Sequence, residues 1–211
     1  MGTSVRKTSA KIKKLLKDTI TDNPNTDYND VIPEVAKEVI KSKKTKNYFS
    51  TSDFEILVGG GISCFRKAAT IGYEGFVKDF GYDPEKMTVI EAEKIIESIL
   101  DSIEEENGDI ESALILSAFK ITMCELLLDK TTNPTEFLLM YCQKFFELII
   151  REEANETLVE AFKDANAREI SATIAQFASD YVNNNYLASI QKCISKTMKI
   201  KELINLLQKE L

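Results

Sequence analysis

The residues of this chain that carry chemistry are few, and the most informative one is missing. None of the 211 residues is histidine. That removes the commonest general base, the Ser-His-Asp and Cys-His nucleophile arrangements, and every histidine-dependent zinc or di-iron site. Ser189 with Lys192, and Ser4 with Lys7, match S-x-x-K. The β-lactamase-type nucleophile also needs S-D-N and K-T-G companions, which are absent. The run GGGIS at Gly59–Ser63 invites a phosphate-loop reading. That loop requires G-x-x-x-x-G-K-[ST] after a strand, and neither the Lys-Ser/Thr pair nor a strand pattern is present. A glycine hinge or a close helix contact is expected instead. The acidic run Glu104–Glu111 lacks the spacing of a calcium loop, and reads as a solvated turn ahead of a helix start at Asp109.

The amino terminus offers a different chemistry. Removal of Met1 exposes the α-amine of Gly2, and Arg6 at the sixth position departs from the M-G-x-x-x-[ST] pattern of myristoylation. An α-amine has a pKa of about 7.7–8.0, so a useful fraction is neutral and nucleophilic near physiological pH. Glycine adds no side chain to obstruct an approaching enzyme. Gly2, followed by the small residues Thr3 and Ser4, is therefore a good acceptor for acylation-type modification.

Charge is distributed unevenly behind that terminus. The net charge is −7, yet residues 1–46 hold eleven Lys/Arg against six Asp/Glu. A basic arm bearing Arg6, Lys7, Lys11, Lys13, Lys14 and Lys17 thus precedes an acidic body. An acidic body does not suit nucleic acid, and the arm has no interleaved aromatics on which bases would stack. The arm is expected to be a solvated helix face or a docking strip for a protein partner. No signal peptide is expected. The most apolar stretch, Ala113–Leu128, is shorter than the ~20 residues a membrane span needs and contains Lys120 and Glu125. Cys64, Cys124, Cys142 and Cys193 form no C-x-x-C pair, which fits small apolar side chains in a reducing, cytoplasmic setting.

The elements that must position these residues are helical. Residues 1–50 read as a flexible tail and basic arm with two short helices that bury little, one of them with Pro33 in its first turn. Residues 51–84 hold six of the eight glycines and read as short helices bent at glycines, or one weakened helix, capped by Ser52 or Asp53. Residues 85–211 read as an acidic α-helical bundle. Thr88 and Glu91 form a capping box ahead of a 3.6-residue apolar period. Ala113–Leu128 is apolar nearly all round, as a buried central helix is. Asn133, Pro134 and Glu136 mark the next start. Ile170, Ile174, Phe177, Ala178 and Tyr181 share one stripe, and a last helix follows with Ile190, Ile194, Leu203 and Ile204. The expectation is an all-α fold of five or six helices with short loops, carrying a flexible basic N-terminal arm.

The start MGTS, the segment YFSTSDFEILVGGGISCFRKAAT (F-x-T-x-D…GGG…R-x-A-x) and the acidic helical C-terminal part together resemble the QatB family. QatB is the small component of the Qat anti-phage defence system. The resemblance implies a partner, QatC, similar to the QueC-like queuosine-pathway synthetases that make 7-cyano-7-deazaguanine. It implies that QatC couples a 7-deazaguanine to the α-amine of Gly2, with Thr3 and Ser4 completing the recognised tail. Arg6, Lys7, Lys11, Lys13 and Lys14 of the arm, with Gly59, Gly60, Gly61, Arg66 and Lys67, are the residues expected to dock the partner. Other Qat components are further expected partners. On this reading the chain is not an enzyme and needs no cofactor or metal. The competing reading is an all-α adaptor that binds nucleic acid or a protein through the basic arm.

Overall fold

The computed structural model describes Ala10, Lys11, Lys14, Leu15 and residues 31–161 and 167–210, with backbone alone at 153–157, 160, 161, 167, 168 and 207–210. Among the described residues there is no strand. Eight helices have defined bounds: α1 (Ile32–Lys41), α2 (Lys43–Phe49), α3 (Ser52–Asp79), α4 (Val89–Asn107), α5 (Ala113–Leu128), α6 (Pro134–Ala161), α7 (Ala167–Ile194) and α8 (Ile200–Glu210). A short 3-10 turn, Pro84–Lys86, precedes α4. The fold is an all-α bundle.

Several starts follow from the residues that predict them. The N–H of Glu91 donates to Thr88 Oγ1 at 3.4 Å, and the N–H of Thr88 donates to Glu91 Oε2 at 2.8 Å, so the capping box opens α4. At α6 the Thr135 N–H donates to Asn133 Oδ1 at 2.9 Å ahead of the Pro134 turn. The start of α5 differs from expectation. Its first residue is Ala113, and Ser112 makes no side-chain cap. The carboxylate of Asp53, on α3, accepts the Glu111 and Ser112 N–H groups at 3.1 and 2.8 Å. The predicted cap of α3 therefore caps α5 from a distance, and Thr51 caps α3 by accepting from the Phe54 N–H.

α6 is the central helix. It packs on α7, α5 and α3, while α4 lies outside against α5 and α3. Phe54 and Phe65 of α3 meet Tyr141 and Phe137 of α6 in a continuous stack. Its ring separations are 5.5 Å (Phe54–Tyr141), 5.7 Å (Tyr141–Phe137) and 5.4 Å (Phe137–Phe65). Each such pair adds about 0.5–1.5 kcal/mol beyond area burial, so the stack helps hold α3 to α6.

Two expectations are corrected. Residues 31–50 are not an appendage. Val31, Ile32, Val35, Ala36, Val39 and Ile40 are all buried, and α1 packs on α7 and α6. Its apolar positions recur at three- and four-residue spacing, which suffices once a long partner helix is available. The second correction concerns the last helix, expected to hold Ile190 and Ile194 apart from the stripe that ends at Tyr181. Val182, Tyr186, Ile190 and Cys193 continue the buried stripe of α7, so Ile190 and Ile194 belong to α7 itself. The break comes at residues 195–199, where Lys196 takes φ 60° and the Thr197 and Met198 N–H groups close on the Lys192 carbonyl at 2.9 and 3.1 Å.

Candidate functional site

Of the residues singled out in the sequence, Gly2, Thr3, Ser4, Arg6, Lys7, Lys13 and Lys17 lie outside the described residues. Lys11 donates to Glu38 Oε2 on α1 at 3.2 Å, and its side chain is 69% exposed. Lys14 is exposed. The arm is thus tied to α1 at Lys11. A solvated ion pair of this kind contributes on the order of 0.2–1 kcal/mol.

The glycine run does something other than bend or bind. α3 passes through Gly59, Gly60 and Gly61 as regular helix, and its kink lies beyond them at Gly72, with φ 77° and ψ 159°. Each of the three glycines faces a different element. A Cβ on Gly59 would sit 3.3 Å from Ile200 Cδ1 of α8. A Cβ on Gly60 would overlap Ile103 of α4, with the Cγ1 atom 2.9 Å away. A Cβ on Gly61 would penetrate the Phe137 ring of α6, where even the more distant Cε2 would be 2.6 Å off. The run is therefore the point where α3 is approached by three helices at once. Gly61 is buried beneath Phe137, and the docking role expected of it is corrected to an internal one.

Arg66 and Lys67 follow one turn later and are used differently. Arg66 Nη2 donates to the Cys193 carbonyl at 3.1 Å, placing a cation at the C-terminal end of α7 where the helix dipole is negative. It is half-buried and structural. Lys67 pairs with Asp79 at 2.7 Å, both about half exposed. Residues twelve apart meet this way only because Gly72 turns the last stretch of α3 back on itself. Tyr73 secures that stretch by donating its hydroxyl to the Leu127 carbonyl at 2.8 Å.

Between α3 and α4 the fold-back leaves a groove of about 260 Å³ over Gly60, with Lys67, Phe76, Phe80 and Ser102 among its walls. The Ser98 and Ser102 hydroxyls donate to the Lys94 and Ser98 carbonyls of their own helix, both at 3.0 Å. Nothing local in the sequence marks this site, because Phe76 and Phe80 arrive only through the reversal at Gly72. Only Lys67, among the cations predicted for docking on α3, is presented to solvent there.

All four thiols are biased toward the neutral form. Burial pushes Cys64 and Cys142 up to about 12, the former against a lowering contribution from Lys67. Cys124 and Cys193 are raised as well, by burial first and then by Glu93 and Glu125 or by Glu202. Tyr141 is raised well above its ordinary value, chiefly by burial. Among the described residues no group of three or more Cys, Asp or Glu side chains is placed to hold a metal ion. None of the described helices is long and apolar enough to cross a membrane. No protein-family model, curated protein or solved structure matches the chain.

Proposed function

We propose that this chain is a non-enzymatic, cytoplasmic component of a QatB-like anti-phage system. Its N-terminal glycine would be the acceptor for a 7-deazaguanine delivered by a QueC-like partner, QatC. The observation that carries the reading is the run Met1-Gly2-Thr3-Ser4 set ahead of a lysine-rich arm that is tied to α1 at Lys11. After Met1 is removed, the neutral α-amine of Gly2 attacks the carbonyl carbon of an adenylated deazaguanine carboxylate. The new C–N bond forms as the C–O bond to AMP breaks, and the amine gives up a proton to the partner or to water. The chain contributes only the nucleophilic nitrogen, and the carboxylate arrives already activated. Thr3 and Ser4 would be read by the partner's entrance, with Lys11, Lys14 and Lys67 as exposed docking cations.

The test is the mass of the N-terminal peptide from chain expressed with and without a synthetase-like partner gene. A deazaguanine-sized increment on Gly2 that depends on the partner and disappears in Gly2→Pro is the expected result. A bare terminus under both conditions removes the reading. The adaptor alternative draws on Lys37, Lys41 and Lys43, which are exposed on α1 and α2 and extend the arm's positive charge along the body. It requires nucleic-acid affinity that falls steeply with salt, and no binding at low salt sinks it.

A further inference from the structure

We propose that the groove between α4 and α5 is a docking surface for a basic amphipathic helix of a partner protein. The groove encloses about 520 Å³ and lies on a different pair of helices from the glycine run. Its walls carry Glu93 and Glu97 on one side and Lys120, Ile121, Cys124 and Glu125 on the other.

Three observations point to that occupant. The first is exposed apolar surface at helical spacing. Ile121 and Leu128 of α5 are each 38% exposed, with Cys124 between them, and Ile90 of α4 is 65% exposed one turn before Glu93. Two packed helices with apolar positions along their shared cleft offer a third helix the ridges and grooves it needs.

The second observation is charge. α4 carries seven carboxylates against one lysine, Lys94. The groove itself holds three carboxylates and one ammonium. Glu125 is already paired, with Lys144 at 2.8 Å. Glu93 and Glu97 have no ion pair among the described residues, so the two α4 carboxylates along the cleft stand without cationic partners. A nucleic acid or an anionic membrane would be repelled, and an uncharged apolar helix would leave these charges facing it. A helix with an apolar stripe bordered by Lys or Arg satisfies both features together.

The third is that the groove is not used internally. Ile96 forms its floor and is buried, while Glu93, Glu97, Lys120 and Ile121 are exposed, so occupation displaces no side chain from the core. Neither Glu93 nor Glu97 caps or ties an element. Their place on a face with protruding isoleucines fits recognition better than solubility alone.

The probe is a fluorescein-labelled leucine/lysine amphipathic peptide about five helical turns long, titrated into the full chain and read by anisotropy. Binding that weakens with added salt is expected. Glu93→Lys combined with Glu97→Lys should weaken it about tenfold or more, since both positions border the cleft. Glu169→Lys with Asp180→Lys changes the net charge equally on exposed positions of α7, and should weaken it less than about twofold. Ile121→Ser should weaken it without changing the salt dependence. Glu93→Gln with Glu97→Gln gives an intermediate loss, and guards against a charge-reversed chain that does not fold. Equal losses from the two charge-reversed pairs would mean non-specific attraction, and would overturn the proposal, as would an absence of binding. Self-association of the unmodified chain that is abolished by the α4 pair would place a second copy's basic arm in the cleft, and would overturn it too.

Discussion

Replacing Gly61 with alanine tests the central packing argument most directly. In an ordinary helix interior that change stabilises by about 1 kcal/mol, because glycine has the poorest propensity after proline. Here the added methyl would occupy space held by the Phe137 ring. The ring cannot slide aside, since it is fully buried and stacked between Phe65 at 5.4 Å and Tyr141 at 5.7 Å. Overpacking of this kind costs about 1–3 kcal/mol. The overlap is deep enough to place the cost at the upper end, leaving a net loss of about 2 kcal/mol after the propensity gain. For a chain of this length the melting temperature then falls by about 4–8 °C. Gly75, on the same helix, is the internal control. A Cβ there meets Ile71 Cβ at an ordinary 3.5 Å, so Gly75→Ala should stabilise by about 0.5–1 kcal/mol. Urea unfolding followed by circular dichroism gives both numbers. Shrinking the ring in Gly61→Ala with Phe137→Leu should recover part of the loss, as neighbouring sites are not additive. If Gly61→Ala proves as stable as Gly75→Ala, the close approach of α3 and α6 at this glycine is wrong.

Other consequences are open to simple measurement. Asp53→Ala should cost about 1–2 kcal/mol in urea unfolding, because two N–H groups at the start of α5 lose their acceptor. Tyr141→Phe should leave the urea midpoint unchanged or raise it, since the buried hydroxyl has no hydrogen-bond partner among the described residues. The pH dependence follows from the buried thiols. Cys64 and Cys142 stay protonated up to about 12 in the folded chain and ionise earlier when unfolded. Their contribution is present in full below about pH 8.5 and is lost as pH rises toward 12. Melting temperature should therefore fall over that range, less steeply in Cys142→Ala. At pH 8 a thiol-reactive dye should leave the buried Cys142 unlabelled in the native chain and label it in urea.

Helix starts were legible in the sequence wherever a local pair of residues makes them. Thr88 with Glu91 and Asn133 with Pro134 act within four residues, and the structure uses both. Signals that depend on distant parts of the chain were misread. Asp53 looked like the cap of its own helix, yet its carboxylate serves α5, nearly sixty residues on. Ile190 and Ile194 read as part of a separate last helix, but the buried period of α7 runs on to them through Asn183–Asn185, where the Asn185 amide donates to the Tyr181 carbonyl. The turn that does end α7 is made by Lys196 in a left-handed conformation, a residue type that announces no such thing. The triple glycine was visible from the outset. A close helix contact was one of its two expected roles, but the helices that make it were not legible, because Ile200, Ile103 and Phe137 come from three segments far along the chain.

The docking of α1 on α7 also bears on how the chain is made. Val35, Ala36, Val39 and Ile40 are covered in the finished molecule largely by a helix that starts at Ala167. At about 5–20 residues per second, a ribosome needs roughly 6–25 s to travel from the end of α1 to the start of α7. Throughout that interval the apolar stripe of α1 has emerged without its cover. The native topology therefore closes only after α7 has been made, well over a hundred residues behind the stripe it covers.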